Sequence, residues 1–233
     1  MAYGIRDMSG WSFNTWIIVI NIAVFVIDVL IAPAVGYPPF AIWGHFSTEL
    51  AIQHAQVWRF ITFQFLHANL MHIFGNLFCL FMFGGMIESH FGSRRYLAFY
   101  LLCGIAGALT YLLFAYTGVL DLKPWQPMVG ASAGIFGILV AGAYIAPDRQ
   151  VYSFIGFIPI PMKMRHFAIL LMGLALYTVF TQGANAGGEA AHLGGGVLGL
   201  VFMLKQHWLN VFAPSRRGKR KMAFKDWSKE WDR

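Results

Sequence analysis

Charge is what this chain has least of: Asp, Glu, Lys and Arg make up 12% of its 233 residues, against 58% hydrophobic and a mean hydropathy of +0.60. Soluble domains carry about a quarter charged residues and roughly 45–50% apolar ones, so a soluble globular domain is excluded. Cysteine is scarce too. Cys79 and Cys103 each lie within an apolar run, a setting that fits small core residues rather than a disulfide or a ligand pair. No His-Glu-x-x-His segment is present, which removes a zinc protease of that type. No two aspartates lie at matched depth in apolar runs, which removes an aspartyl protease working within a bilayer. The inner halves of the runs are nearly unbroken apolar and no internal repeat is found, unlike a transporter or channel. Haem ligation by paired histidines is disfavoured because His67 and His72, five residues apart, diverge on a helix. No metal and no cofactor is implied.

Long apolar runs are what the chain does have. Trp16–Ala32, His72–Ile87, Tyr96–Tyr116, Val129–Ala146, Phe167–Phe180 and Ala190–Leu204 each span or nearly span a hydrocarbon core of about 30 Å. They predict six transmembrane helices. The first contains Asp28 and lacks a small-residue cleavage site, so it reads as a retained span and not a removed signal. With both termini cytoplasmic, 15 of the 17 Lys and Arg fall on the inner side, leaving only Arg59 and Lys123 outside. The boundaries read as a cytoplasmic N-terminus over 1–12, a six-helix domain over 13–206 and a basic cytoplasmic tail over 207–233. Arg216–Lys221 in that tail matches anchoring to anionic membrane lipid better than binding nucleic acid. Trp227 and Trp231, at i,i+4 spacing, suit a short interfacial helix.

Two polar residues stand at similar depth in the fourth and sixth runs. Ser132 is 15 residues above the inner turn at Pro147, roughly 22 Å of helix, and His192 is 13 residues above Lys205, roughly 20 Å. Ionisable groups within hydrocarbon are costly and mark sites or pathways, and a serine needs a neighbouring base to become a nucleophile. The pairing points to a protease inside a bilayer, about 10 Å below the outer surface of a core of about 30 Å. Small residues at four-residue spacing allow the two helices to touch: Gly195 and Gly199 below His192, and Ala133, Gly137 and Ala141 below Ser132. Phe136, one turn below Ser132, is placed to stack on the His192 imidazole. At the outer end of the second run, His72 and Asn76 share a helix face at i,i+4, whereas His67 points elsewhere. Side-chain donors of these two types, with the backbone N–H of Ser132, suit the oxyanion of acyl transfer. Alone, the pair reads as a structural interhelical hydrogen bond.

Taken together, Trp58-Arg59, His67-x-x-x-x-His72-x-x-x-Asn76, Gly84-Gly85-Met86-Ile87-Glu88, Gly130-Ala131-Ser132 and Ala191-His192-x-x-Gly195-x-x-x-Gly199 resemble the rhomboid family of intramembrane serine proteases. The resemblance covers most of the chain and implies an all-α membrane protein, a six-transmembrane-helix rhomboid-like bundle. It implies Ser132 as nucleophile, His192 as general base and then acid, His72 and Asn76 as oxyanion-binding side chains, and Phe136, Gly130 and Gly195 as support. A Ser–His dyad is implied; Glu189, three residues before His192 and within reach of it, reads better as a loop-to-helix boundary residue than as a third member, and Glu88 reads as structural, near Arg94 and Arg95. Substrates would be transmembrane proteins, and the oligomeric state stays open. A rhomboid-like pseudoprotease that binds transmembrane helices without cutting them predicts loss of Ser132 or His192, and both are present. The segment 33–66, rich in Phe, Trp and Ile, is expected to lie in the outer leaflet, with Arg59 anchoring it through backbone carbonyls. Gln182–Gly188 is expected to cap the site, and movement of this loop and the fifth span would admit substrate. Compact six-span form suggests a bacterial inner membrane, with the site opening to the outer face. One departure stands out: rhomboids usually have glycine after the nucleophile, where this chain has Ala133. Alanine restricts close packing and φ at that point.

Overall fold

A computed structural model describes residues 10–155 and 158–213. The basic tail at Arg216–Lys221, the tryptophans Trp227 and Trp231, and Arg6 lie outside the described residues. The helices are α1 (Phe13–Val35), α2 (Pro39–Gly44), α3 (Arg59–Thr62), α4 (Leu70–Cys79), α5 (Gly85–Phe91), α6 (Ser93–Tyr116), α7 (Ser132–Ile145), α8 (Met164–Phe180) and α9 (Ala186–Leu204). A π-helical turn, Leu80–Gly84, joins α4 to α5, and β1 (Gln150–Ile155) and β2 (Ile158–Lys163) lie between α7 and α8. Four helical stretches are long and apolar enough to cross a membrane: α1, the continuous Leu70–Phe91, α6 and α9. The apolar helices α7 and α8 are shorter, at 14 and 17 residues.

The polarity of α1 is inverted relative to a soluble helix. Its buried positions are Asn14, Ile17, Asn21 and Asp28, while Val29 and Leu30 are exposed. Positions 14, 21 and 28 recur every two turns and form one inward stripe. Apart from Asn21 Oδ1, the polar groups of this stripe find partners there, as burial in an apolar medium requires. Asn14 Nδ2 donates to the Leu80 carbonyl at 3.0 Å, and the Tyr96 hydroxyl donates to Asn14 Oδ1 at 2.7 Å. Asn21 Nδ2 donates to the Ile17 carbonyl. Asp28 accepts from the Phe40 and Ala41 amides at the start of α2. Glu88 accepts from the Phe13 and Asn14 amides, so it caps α1 through its first free N–H groups and does not serve Arg94 or Arg95. Gly84 leaves the space that Asn14 occupies; a Cβ there would collide with its side-chain oxygen.

Segment 33–66 folds as short helical pieces held by one buried cation. The Arg59 guanidinium donates to the carbonyls of Ile42 and His45, and its Nε donates to Gln56 Oε1 at 2.7 Å. Apolar side chains stay exposed on this segment, among them Trp43 and Val57.

Helices α6, α7 and α9 make the centre, and glycine sets their separation. A Cβ on Gly199 would lie 2.6 Å from Gly137 Cα, and one on Gly195 would run into the Ala133 backbone. On the other side of α7, a Cβ on Gly134 would lie 2.7 Å from the Tyr100 ring and one on Gly137 2.6 Å from Cys103 Sγ. Helix α7 therefore meets α9 backbone to backbone, while toward α6 its glycines make room for the Tyr100 and Cys103 side chains.

Three expectations need correction. Residues 150–163 form an antiparallel hairpin, paired from Gln150 with Lys163 to Ile155 with Ile158, so the chain is not purely helical. Pro159 and Pro161 cannot continue a helix, and the surrounding Val, Tyr and Ile favour strand. Helix α7 starts at Ser132, not at Val129, because Met128 is drawn into a bridge with Phe46. Helix α9 starts at Ala186, a turn earlier than Ala190.

Gly199→Ala is expected to cost about 1–3 kcal/mol by overpacking α7 against α9. Gly173→Ala, mid-α8 with nothing within 4 Å of the added methyl, is expected to be neutral or stabilising by up to about 1 kcal/mol. Thermal unfolding of both variants in one detergent checks the pair, and equal midpoints would refute the packing account.

Candidate active site

Ser132 occupies the first position of α7, directly after a strained approach. The chain reaches it through Met128, whose amide and carbonyl pair with Phe46, and Gly130, whose amide donates to the Phe63 carbonyl at 2.9 Å. Gly130 has φ +135°, and a Cβ there would come within 2.8 Å of His72 Nε2. Only glycine satisfies both conditions. The first backbone N–H groups of a helix have no intrahelical acceptor, so the amide of Ser132 stands free of the ladder at the point where its side chain emerges.

His192, sixty residues away, is the partner of that side chain. Its Nε2 lies 2.7 Å from Ser132 Oγ. Phe136 stacks on the imidazole with centroids 4.2 Å apart and planes 8° from parallel. Nδ1 lies 2.8 Å from Glu189 Oε2. A carboxylate accepts, so Nδ1 carries the proton and Nε2 presents its lone pair to the serine hydroxyl. The contact with Glu189 is the alternative that the sequence disfavours, where Glu189 reads better as a boundary residue. The early start of α9 puts it in the first helical turn, at i−3 from His192 and on the same face.

His72 and Asn76 come from α4, which is capped by Asn69 through the His72 amide at 2.9 Å. The Ala68 amide points to His72 Nδ1 at 3.4 Å, leaving Nε2 as the protonated nitrogen beside Gly130. Asn76 is buried, and its Nδ2 has no hydrogen-bond partner. His67 does not point away as its spacing implies: its ring packs edge-on to His72 at 5.0 Å, because residues 63–69 are not helical with α4. Neither ring nitrogen of His67 has a hydrogen-bond partner. Burial first and His72 second hold its imidazole far below the ordinary range, at about 3, so it is neutral at physiological pH. Ser132, His192, His72 and Asn76 line one cavity of about 610 Å³, and Asn185, Gly187 and Gly188 form part of its wall. Among the described residues, no cluster of His, Cys, Asp and Glu could hold a metal ion.

The profile of the Rhomboid domain matches residues 54–208. This chain belongs to the rhomboid family. It is 30% identical over 159 residues to Rhomboid protease GlpG of Haemophilus influenzae, covering 64% of this chain and 70% of that protein. It is 32% identical over 152 residues to Rhomboid-related protein 2 of Mus musculus, covering 62% of this chain and 46% of the relative. It is also 32% identical over 98 residues to Inactive RHOMBOID-like protein 8 of Arabidopsis thaliana, covering 42% of this chain and 26% of the relative. The matched stretch thus spans less than half of the last two relatives. Membership makes the chain an integral membrane protein of a family composed mostly of proteases.

The rhomboid glycine after the serine is replaced here by Ala133, and the structure shows where its methyl goes. Ala133 is buried within α7 and does not adopt positive φ. Gly107 of α6 faces it: a Cβ on Gly107 would lie 2.6 Å from Ala133 Cβ and 2.8 Å from the Ala191 carbonyl. The absence of a side chain at position 107 thus makes room for the methyl at 133. The glycine within the third apolar run was the available signal, and it was not linked to position 133 in the sequence.

Gly107→Ala is expected to lower stability by about 1–3 kcal/mol. Adding Ala133→Gly to the same chain is expected to recover part of that loss, giving a nonzero coupling in a double-mutant cycle of thermal unfolding. Simple additivity of the two changes would show that they do not share a space.

Proposed function

We propose that this rhomboid is a serine endopeptidase that cuts transmembrane proteins in or beside their membrane segments. The observation that carries this reading is the 2.7 Å contact of Ser132 Oγ with His192 Nε2 in a cavity that also presents the unpaired Asn76 amide. In the proposed reaction Ser132 Oγ attacks the scissile carbonyl carbon while its proton passes to His192 Nε2. The resulting oxyanion accepts hydrogen bonds from His72 Nε2–H, Asn76 Nδ2–H and the Ser132 backbone amide. His192 then returns its proton to the leaving amine, and the acyl group stays on Ser132. Water, deprotonated by the same imidazole, releases the carboxylate product and restores the serine. Protons balance within this set of residues, and no cofactor or metal is required. Phe136 holds the ring plane, Gly130 allows His72 to approach, and Gly195 allows α9 to lie against α7.

The wider reading adds α7 and α8 to the four longer stretches as six membrane passes, with both ends cytoplasmic and the cavity open to the outer face of a bacterial inner membrane. Alongside the cavity, α8 exposes Ile169, Tyr177 and Phe180 and meets the centre through α7 and α9. Movement of this helix with the segment before α9 would admit a substrate helix from the bilayer. A second reading, binding of transmembrane helices without cleavage, is favoured by the similarity to an inactive relative.

Labelling of the detergent-solubilised protein by a serine-directed fluorophosphonate separates the two. Labelling that is lost in both Ser132→Ala and His192→Ala is expected; labelling retained in either variant would sink the pair as the reactive unit, and a folded wild type that never reacts would favour the binding reading. Asn76→Ala is expected to lower turnover of a transmembrane peptide substrate roughly 10- to 1000-fold with the fold retained. Unchanged turnover would reduce Asn76 to a packing residue.

A further inference from the structure

We propose that Glu189 is a positioning residue for His192, so that the hydrolytic unit of this rhomboid is a Ser132–His192–Glu189 chain of hydrogen bonds and not a two-residue pair. The inference rests on the serine endopeptidase reading and adds to it a residue that acts through the base. Three observations carry it. First, Glu189 Oε2 lies 2.8 Å from Nδ1 and Ser132 Oγ lies 2.7 Å from Nε2, so the two nitrogens of one imidazole are engaged at once. Held as a donor at Nδ1, the neutral ring must offer its lone pair at Nε2, which is the form able to take the serine proton. Second, Glu189 and Phe136 constrain different motions. The stack, 8° from parallel, limits tilting of the ring, while the carboxylate resists rotation within its plane. Third, Glu189 is the only carboxylate in hydrogen-bond contact with His192 among the described residues, and it has no Lys or Arg partner there.

The need for that carboxylate follows from the reaction. When Ser132 loses its proton, His192 becomes an imidazolium in a cavity whose lining includes no Asp, Glu, Lys or Arg. A cation formed in such surroundings is costly unless an anion stands beside it. The other titratable groups lining this cavity are His72 and Cys79 from α4 and Tyr111 from α6, with His67 behind His72; α8 contributes the apolar Leu171. None of these supplies a carboxylate. Helix geometry keeps Glu189 in place at little cost. Asn185 turns the chain at φ +66°, α9 begins at Ala186, and a carboxylate in the first turn is favoured by the helix dipole. The side chains of both partners are mostly shielded, which limits the screening that makes exposed pairs weak.

The test compares wild type with Glu189→Gln, Glu189→Asp and Glu189→Ala, using the fluorophosphonate reaction rate so that no substrate need be known. Glu189→Gln keeps the shape and removes the charge. Its labelling rate is expected to fall about 10- to 100-fold. Glu189→Asp is expected to recover part of the rate. In Glu189→Ala, 15N NMR of His192 is expected to show the Nε2–H tautomer appearing beside the Nδ1–H form. A purely structural residue would change thermal stability while leaving the tautomer untouched. Wild-type rate in Glu189→Gln, or an unchanged tautomer in Glu189→Ala, would overturn the proposal. Wild type that fails to label, with the tautomer still dependent on Glu189, would instead overturn the hydrolytic reading and leave the hydrogen-bond chain as a structural device.

Discussion

Backbone contact between α7 and α9 is the constraint on which the rest of this protein depends. Where Gly195 meets the Ala133 backbone and Gly199 meets Gly137, no side chain separates the two helices. That separation brings a residue at the top of one helix to 2.7 Å from a residue near the top of the other. A hydrogen bond of this length tolerates little error, and in hydrocarbon no hydrophobic drive pulls helices together. Shape therefore has to do the work, and shape here means the absence of side chains. The same rule extends to α6, where Gly107 receives the methyl of Ala133. Position 133 illustrates why a substitution at a helix contact cannot be judged alone: its cost depends on what the facing helix leaves empty.

Around that centre, several buried polar groups are matched to backbone partners. Asn14, Asp28, Glu88 and Arg59 each answer backbone donors or acceptors that a helix end or an irregular segment leaves over. Two of them, Asp28 and Glu88, sit at helix N-termini, where free amides and the dipole both favour an anion. That such groups turn inward, among an otherwise apolar core, follows from the same accounting of hydrogen bonds, because lipid offers no alternative partner. Among the described residues, Asn76 Nδ2 is one of the few buried side-chain atoms left unpaired, with Asn21 Oδ1, Thr48 Oγ1, Gln64 Oε1 and both His67 ring nitrogens, and Asn76 lines the cavity.

Much of the outline was legible beforehand, for physical reasons. Scarce charge and long apolar runs define the solvent, and the spacing of Ser132, Phe136, His192, Gly195 and Gly199 on two helices survives any small error in where those helices begin. Helix starts were less legible. Val129 to Ala131 is as apolar as the helix that follows, so hydropathy could not show that Met128 is captured by Phe46. Gly187 and Gly188 read as loop, yet they lie inside α9, and this made the boundary reading of Glu189 outweigh its i,i+3 contact with His192. The hairpin was missed because a run of Val, Tyr, Ile and Pro is too short to reveal its period. His67 was misjudged by extending α4 backwards past Asn69, where the cap stops it.

The unequal lengths of the helices carry a consequence for the surrounding lipid. Helix α1 has 23 residues and α8 has 17, which at 1.5 Å per residue differ by about 9 Å along their axes. Both expose apolar side chains outward, so the apolar surfaces they offer differ in height. Acyl chains stretch or compress to meet apolar surfaces of unequal height, and each ångström of mismatch carries a fraction of a kcal/mol.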